Sequence, residues 1–359
     1  MLSARDAVCK LPTYHPPLGG RKGLRLDFNE NTVGCSPRVL ERLRSLGAED
    51  LARYPEREPV EVVVADYLGV RPEELLLTNG VDEAIHLVCE TYLEPGDEVL
   101  IVVPTFSMYE IFAAAPGARV INVPAGVNFT FPLHTILCHI TPATRLIAIA
   151  NPNNPTGSSA TEEELRLVAQ SAPDAAVLVD EAYFEFHGRT LSGGWRQLPN
   201  LFVARTFSKA YGLAGLRAGV LMGNTEQMSA VRKVASPYNV NSVALVSLPE
   251  ALADSTYVDH YVSEVCEGRE RLQCELQKLG IPFWPSRANF VLMRMGEANK
   301  AFIRAMREHG ILVRDRSRDP GCEGCVRITL GSREQTDRLL YVLHEVLQEI
   351  GVFRREVRP

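Results

Sequence analysis

Lysine is scarce in this chain. Most of its 38 basic residues are arginine, and Lys209 is the only lysine between Lys22 and Lys233. Other absences narrow the function. No apolar run approaches the roughly 20 residues that a membrane-spanning helix needs. There is no cationic excess: 38 basic and 44 acidic residues leave a net charge of -6, which argues against nucleic acid as a partner. Arg5, Asp6 and Lys10 stand where a secretory leader would be apolar, so the expected location is the cytoplasm. The eight scattered cysteines suit that reducing setting. Cys322 and Cys325 form a C-x-x-C, but no second pair follows at zinc spacing. No metal is therefore expected, and the thiol pair reads as incidental. No G-x-G-x-x-G follows a strand-like run and no Walker A motif occurs; Gly212, Gly215 and Gly219 have the wrong spacing for a dinucleotide turn.

What is present is the composition of an ordinary globular protein, 46% apolar and 23% charged, in 359 residues, a length that suits two domains. Residues 1–30 are dense in proline and glycine (Pro12, Pro16, Pro17, Gly19, Gly20, Gly23) and read as an extended N-terminal arm. Beyond it, apolar runs of strand length at 75–77, 98–103, 146–150, 177–180 and 201–204 alternate with helical patterns. Thr161-x-x-Glu164 is a capping box opening a helix to about Ser171. Such alternation implies an α/β large domain, residues 31–245, with a mostly parallel sheet covered by helices on both faces. Pro237 and Pro249 bracket a change of character. Residues 246–359 then read as a smaller α+β C-terminal domain. It has a long helix from about 257 to 279, strands at 290–293, 311–313 and 326–329, and a closing helix from about 334 to 347.

Three successive strands end in polar clusters. Run 146–150 leads into Asn-Pro-Asn-Asn154-Pro-Thr-Gly. Run 177–180 ends in Asp180, Glu181, Ala182 and Tyr183. Run 201–204 leads into Arg-Thr206-Phe-Ser208-Lys209-Ala-Tyr-Gly-Leu-Ala-Gly-Leu-Arg217-Ala-Gly. Open α/β sheets bind ligands at the carboxyl ends of their strands. A lysine among apolar and small residues is open to desolvation, which lowers an ammonium pKa from roughly 10.4. The neutral amine is the form that attacks carbonyls. A solvated surface lysine is the commoner fate of the residue, and this segment alone leaves both readings open. Arg217 offers a charged fork to a phosphate. Thr78-Asn79-Gly80-Val81-Asp82 turns from a strand into a helix, whose free N–H groups also suit a phosphate. Arg314 and Arg327 stand at strand ends, whereas Arg316 and Arg318 read as solvated loop.

Taken in this order, from Leu-Asp-Phe-Asn-Glu-Asn at 26–31 to Val-Arg-Ile-Thr-Leu-Gly at 326–331, the motifs resemble the fold-type I pyridoxal-phosphate aminotransferases. Within them the chain is most similar to the histidinol-phosphate aminotransferases. The resemblance implies pyridoxal 5'-phosphate as cofactor and three catalytic residues. Lys209 carries the cofactor, Asp180 pairs with its pyridine nitrogen, and Tyr183 bonds its phenolic oxygen together with Asn154. Phe106 stacks on the ring. Gly80, Val81, Asp82, Thr206, Ser208 and Arg217 hold the phosphate, aided by Tyr54 reaching across a homodimer. Asn29, Asn289, Arg314 and Arg327 meet the substrate. Without the resemblance, Phe106 reads as plain core and Tyr54 as a half-buried turn aromatic. Two positions depart from the family: Val81, where a small residue is usual, and Arg287, where an acidic one is common.

The implied partners are a small-molecule amino donor and a 2-oxo acid, with no nucleic acid and no membrane. The implied reaction is transamination of L-histidinol phosphate with 2-oxoglutarate, giving imidazole acetol phosphate and glutamate in histidine biosynthesis. An aromatic amino-acid aminotransferase and a phospho-amino-acid decarboxylase would share these motifs. A regulatory protein on the same fold would need a DNA-binding module, for which no room is expected before Leu26.

Overall fold

The structure is a computed structural model, in which residues 2–13, 19–20 and 22–352 are described. Pro16 and Pro17 of the arm lie outside the described residues. The strands are β1 (Leu24–Arg25), β2 (Leu75–Asn79), β3 (Glu98–Val103), β4 (Arg119–Pro124), β5 (Thr144–Ala150), β6 (Ala176–Asp180), β7 (Leu201–Thr206), β8 (Ala218–Gly223), β9 (Phe283–Trp284), β10 (Phe290–Arg294), β11 (Ile311–Leu312), β12 (Arg314–Asp315) and β13 (Cys325–Thr329).

Seven strands form the large sheet, in the order β2-β8-β7-β6-β5-β3-β4. Strands β3 to β7 are mutually parallel where they pair. Strand β8 runs against both β7 and β2. The reversal has a local cause. Parallel neighbours need a crossover, usually a helix, and residues 207–217 form a turn-rich loop with one short 3-10 segment instead. The chain therefore doubles back. Strands β6, β7 and β8 are buried along their whole length, as a sheet covered on both faces requires. The helix Glu162–Ser171 opens on the expected capping box, Thr161 and Glu164 each accepting the other's backbone N–H.

The second sheet is antiparallel, in the order β12-β13-β10-β9. The helices Ser255–Lys278, Asn299–Glu308 and Arg333–Glu349 accompany it. One expectation is corrected here. Residues 311–312 do not join this sheet but pair in parallel with β1. Leu24 N–H donates to Gly310 O and Leu26 N–H to Leu312 O, each at 2.9 Å. A Cβ at Gly23 would stand 2.4 Å from Gly310 O, so only glycine permits this approach. Thr329 N–H closes the other side by donating to Leu26 O at 2.9 Å. The end of the arm is thus pinned between β11 and β13. The expected division between residues 245 and 246 falls inside the helix Ser242–Leu252. One apolar cluster runs from the large sheet into the small one, through Val203, Phe207, Tyr183, Phe290 and Ile328.

Candidate active site

The carboxyl ends of β5, β6 and β7 open into a cavity of about 760 Å³, within the usual range for a small-molecule site. Each strand delivers polar groups to it: Asn154 after β5, Asp180 at the end of β6, and Thr206 with the Ser208–Lys209 turn at the end of β7. The small sheet closes the far wall with Arg314 and Arg327, which face each other in register across β12 and β13. The pinned arm adds Asp27, Phe28 and Asn29.

Burial dominates the chemistry of Lys209. Its Nζ meets Phe28 O at 3.4 Å. Desolvation, reinforced by the positive charge of Arg327, lowers its pKa to about 8. Asp180 shows the opposite effect: desolvation raises its pKa to about 6 against the pull of its hydrogen bonds. Tyr109 OH donates to Asp180 Oδ2 at 2.5 Å and Ala182 N–H to Oδ1 at 2.9 Å. The carboxylate is therefore fixed in direction and acidic enough to be charged at neutral pH. Beneath it, buried Arg205 pairs with Glu181 at 3.0 Å and lies over the Phe184 ring at 3.5 Å. That pair ties the ends of β6 and β7 together.

Asn29 adopts a left-handed backbone, φ +56°, held by hydrogen bonds to Thr329 Oγ1 from its N–H at 3.1 Å and to its Oδ1 at 3.0 Å. Its amide donates to Tyr183 OH at 2.9 Å. Arg327 donates to Asn154 Oδ1 and, at 2.8 Å, to Asp27 O. Burial and the nearby Arg316 push its pKa down to about 9, which still leaves it charged at neutral pH. Arg217 is held by Asp82 at 2.9 Å over the start of the helix Gly80–Tyr92. A Cβ at Gly80 would lie 2.5 Å from the Arg217 guanidinium. The side-chain-free turn and the arginine thus form a cradle open to an anion.

Most of the expected site residues meet here. Val81, Asp82, Phe106, Asn154, Asp180, Tyr183, Thr206, Ser208, Lys209 and Arg217 line the cavity, with Asn29, Arg314 and Arg327 opposite. Gly80 lies beneath Arg217. Asn289 is fully buried behind the wall, where its amide donates to Asn29 O at 3.2 Å; it supports Asn29 rather than facing the cavity. Tyr54 lies outside it, 78% exposed and stacked on Tyr238 at 4.3 Å. Arg287 is exposed and away from the cavity wall.

Of the two arginines read as solvated loop, Arg318 is exposed as expected and Arg316 is not. Arg316 and Arg318 both line the cavity, and the Arg316 side chain is only 15% exposed. Tyr109 and Asp319 were also missed as site residues. Tyr109 follows Phe106 by three residues, and Arg316 follows Arg314 by two. The second spacing places a residue on a strand neighbour's face; Phe106 precedes the helix Met108–Ala114, so no periodic spacing marks Tyr109.

The donor set fits pyridoxal phosphate: a desolvated amine, an oriented buried carboxylate behind it, and an anion cradle with Thr206 and Ser208 hydroxyls 2.9 Å apart beside it.

A family model described as aminotransferase class I and II matches residues 21–343. The chain belongs to the class I and II aminotransferases. This aminotransferase is 39% identical over 328 residues to a histidinol-phosphate aminotransferase of Caldanaerobacter subterraneus subsp. tengcongensis, covering 90% of this chain and 93% of that one. It is 33% identical over 360 residues to one from Moorella thermoacetica, covering 96% and 92%. The structure of the Sinorhizobium meliloti histidinol-phosphate aminotransferase in complex with pyridoxal 5'-phosphate superposes with a TM-score of 0.87 at 26% identity, covering 96% of this chain and 98% of that one. The aminotransferase therefore has the fold-type I architecture.

Proposed function

We propose that the protein transfers the amino group of L-histidinol phosphate to 2-oxoglutarate with pyridoxal 5'-phosphate, as a homodimer in the cytoplasm. One observation carries this reading: the desolvated Lys209 and the oriented Asp180 share a cavity with the arginines Arg314 and Arg327. The relatives named above support the choice of substrate.

When bound, the cofactor supplies the electron sink that weakens the C–H bond beside the amine. The chain's own residues do the rest. Lys209 Nζ is the group that holds the cofactor and then accepts or returns a proton, since its lowered pKa leaves a substantial neutral fraction near pH 8. Asp180 would hold a positive charge at the pyridine nitrogen. Tyr183 and Asn154 would bond the phenolic oxygen, while the Gly80 turn, Thr206, Ser208 and Arg217 would grip the phosphate. Arg314 and Arg327 bind the substrate anion, because a guanidinium fork fits phosphate and carboxylate alike. The exposed Tyr54–Tyr238 stack supports a surface on which a second subunit seats. All eight cysteines are free, in keeping with a reducing compartment.

Changing Lys209 to Ala is expected to abolish turnover and to leave no cofactor attached after borohydride reduction, as read by mass spectrometry. Steady-state turnover in that variant would contradict the assignment.

A further inference from the structure

The far wall of the cavity holds more charge than Arg314 and Arg327 account for. Arg316 Nε lies 2.5 Å from Asp319 Oδ2. The backbone sets this pair. Asp319 N–H donates to Arg316 O, Cys322 N–H to Asp319 O, and Arg316 N–H to Cys325 O on β13, each at 3.0 Å. Close by, Arg314 Nη1 and Arg327 Nε are buried without a hydrogen-bond partner, and Arg316 Nε and Asp319 Oδ2, though close, do not align as a hydrogen bond. Unpaired buried donors on two guanidinium groups are costly, and an incoming anion would relieve them. Burial raises the Asp319 pKa against the pull of the positive charges of Arg316, Arg327 and Arg314.

We infer that Arg316 and Asp319 form a charge-selective subsite: Arg316 is a third guanidinium for a dianionic group on the donor, and Asp319 occupies it until that group arrives. Identifying the dianion as the phosphate of histidinol phosphate rests on the proposed function. The selectivity follows from what each anion recovers against a fixed cost. Opening the Arg316–Asp319 pair costs the same whichever anion enters. A phosphate carries about -1.5 to -2 charges near pH 7 and three acceptor oxygens, enough to engage three forks and offset that cost. A carboxylate has one charge and two oxygens, and recovers less. Selection for the dianion thus comes from Arg316, while Asp319 holds that guanidinium in the empty site. The carboxylate also lowers the mutual repulsion of the arginines while the cavity holds no substrate.

The test uses holoenzyme, wild type and the variants Arg316→Gln, Arg316→Lys and Asp319→Asn. It reads kcat and KM for histidinol phosphate, and inhibition by inorganic phosphate and by acetate. Arg316→Gln is expected to raise KM about tenfold and weaken phosphate inhibition by about the same factor, with acetate inhibition within about threefold of wild type. Arg316→Lys keeps the charge without the fork and is expected to fall between. Asp319→Asn removes the cost of opening the pair and a charge that repels a dianion more than a monoanion, so it is expected to tighten phosphate more than acetate and widen the preference for phosphate. Equal losses for both anions in Arg316→Gln, unchanged phosphate inhibition, or an unchanged or narrowed preference for phosphate in Asp319→Asn would each overturn the inference. Should Arg316→Gln fail to fold, Arg316→Lys and Asp319→Asn decide it. If the wild type turns over phenylalanine and not histidinol phosphate, the proposed function fails. The subsite is then read by the same two inhibitors against the phenylalanine reaction, with the same outcomes deciding.

Discussion

Tyr109 and Lys209 show how single side chains set the chemistry. Tyr109 supplies one of the two donors to the Asp180 carboxylate and opposes the rise that burial imposes on its pKa. Tyr109→Phe keeps the ring and removes the donor. Losing that donor raises the Asp180 pKa, so the acid limb of the kcat/KM profile is expected to shift to higher pH. A hydrogen bond to a charged group contributes about 1.5–3 kcal/mol, so kcat/KM is expected to fall by about tenfold or more. A pH profile identical to wild type would remove Tyr109 from the site. Lys209 gives a second pH test, on the apoprotein. Its pKa is depressed from 10.5 to about 8, and the neutral amine is the reactive form. The rate of cofactor uptake, followed by absorbance, should climb as pH rises through about 8 and level off above it. A rate still climbing with a midpoint near 10.5 would mean that Lys209 is solvated.

At the scale of elements, the site depends on backbones in close contact. A Cβ at Gly219 on β8 would lie 2.7 Å from Gly80 C and 3.0 Å from Val81 N. Those atoms belong to the start of the helix Gly80–Tyr92, so they cannot swing away as a side-chain end would. Gly219→Ala is expected to cost about 1–3 kcal/mol of stability and to weaken cofactor binding, measured by thermal unfolding and by cofactor titration. Wild-type values in both would show that the cradle tolerates movement. Much of this element layout was legible in the sequence. Strands β5, β6 and β7 each read as an apolar run ending in a polar group, because a buried strand must be apolar while its carboxyl end carries function. The reversal of β8 was not legible, since strand direction depends on what the intervening loop does. Nor was the β1–β11 pair, whose two-residue strands leave no periodicity to read. Arg316 was misjudged because arginine in a loop is usually solvated; its burial depends on the turn that brings Asp319 back against it.

For the whole molecule, the question is where each site is completed. Among the described residues no helix is long and apolar enough to cross a membrane. Tyr54 is 78% exposed in the single chain, and the proposed homodimer puts it to use in the partner's site. Mixing Lys209→Ala and Tyr54→Phe subunits tests this. Each heterodimer would hold one site with both residues intact, so activity is expected to recover on mixing to well above that of either parent. No recovery would place Tyr54 outside the neighbouring site. The most direct test of the account is a visible-absorption titration of the holoenzyme with histidinol phosphate or phenylalanine, with no 2-oxo acid present. The account predicts that histidinol phosphate converts the cofactor's visible band at far lower concentration than phenylalanine does. Conversion at lower concentration by phenylalanine, or no visible band after adding pyridoxal phosphate, would contradict it.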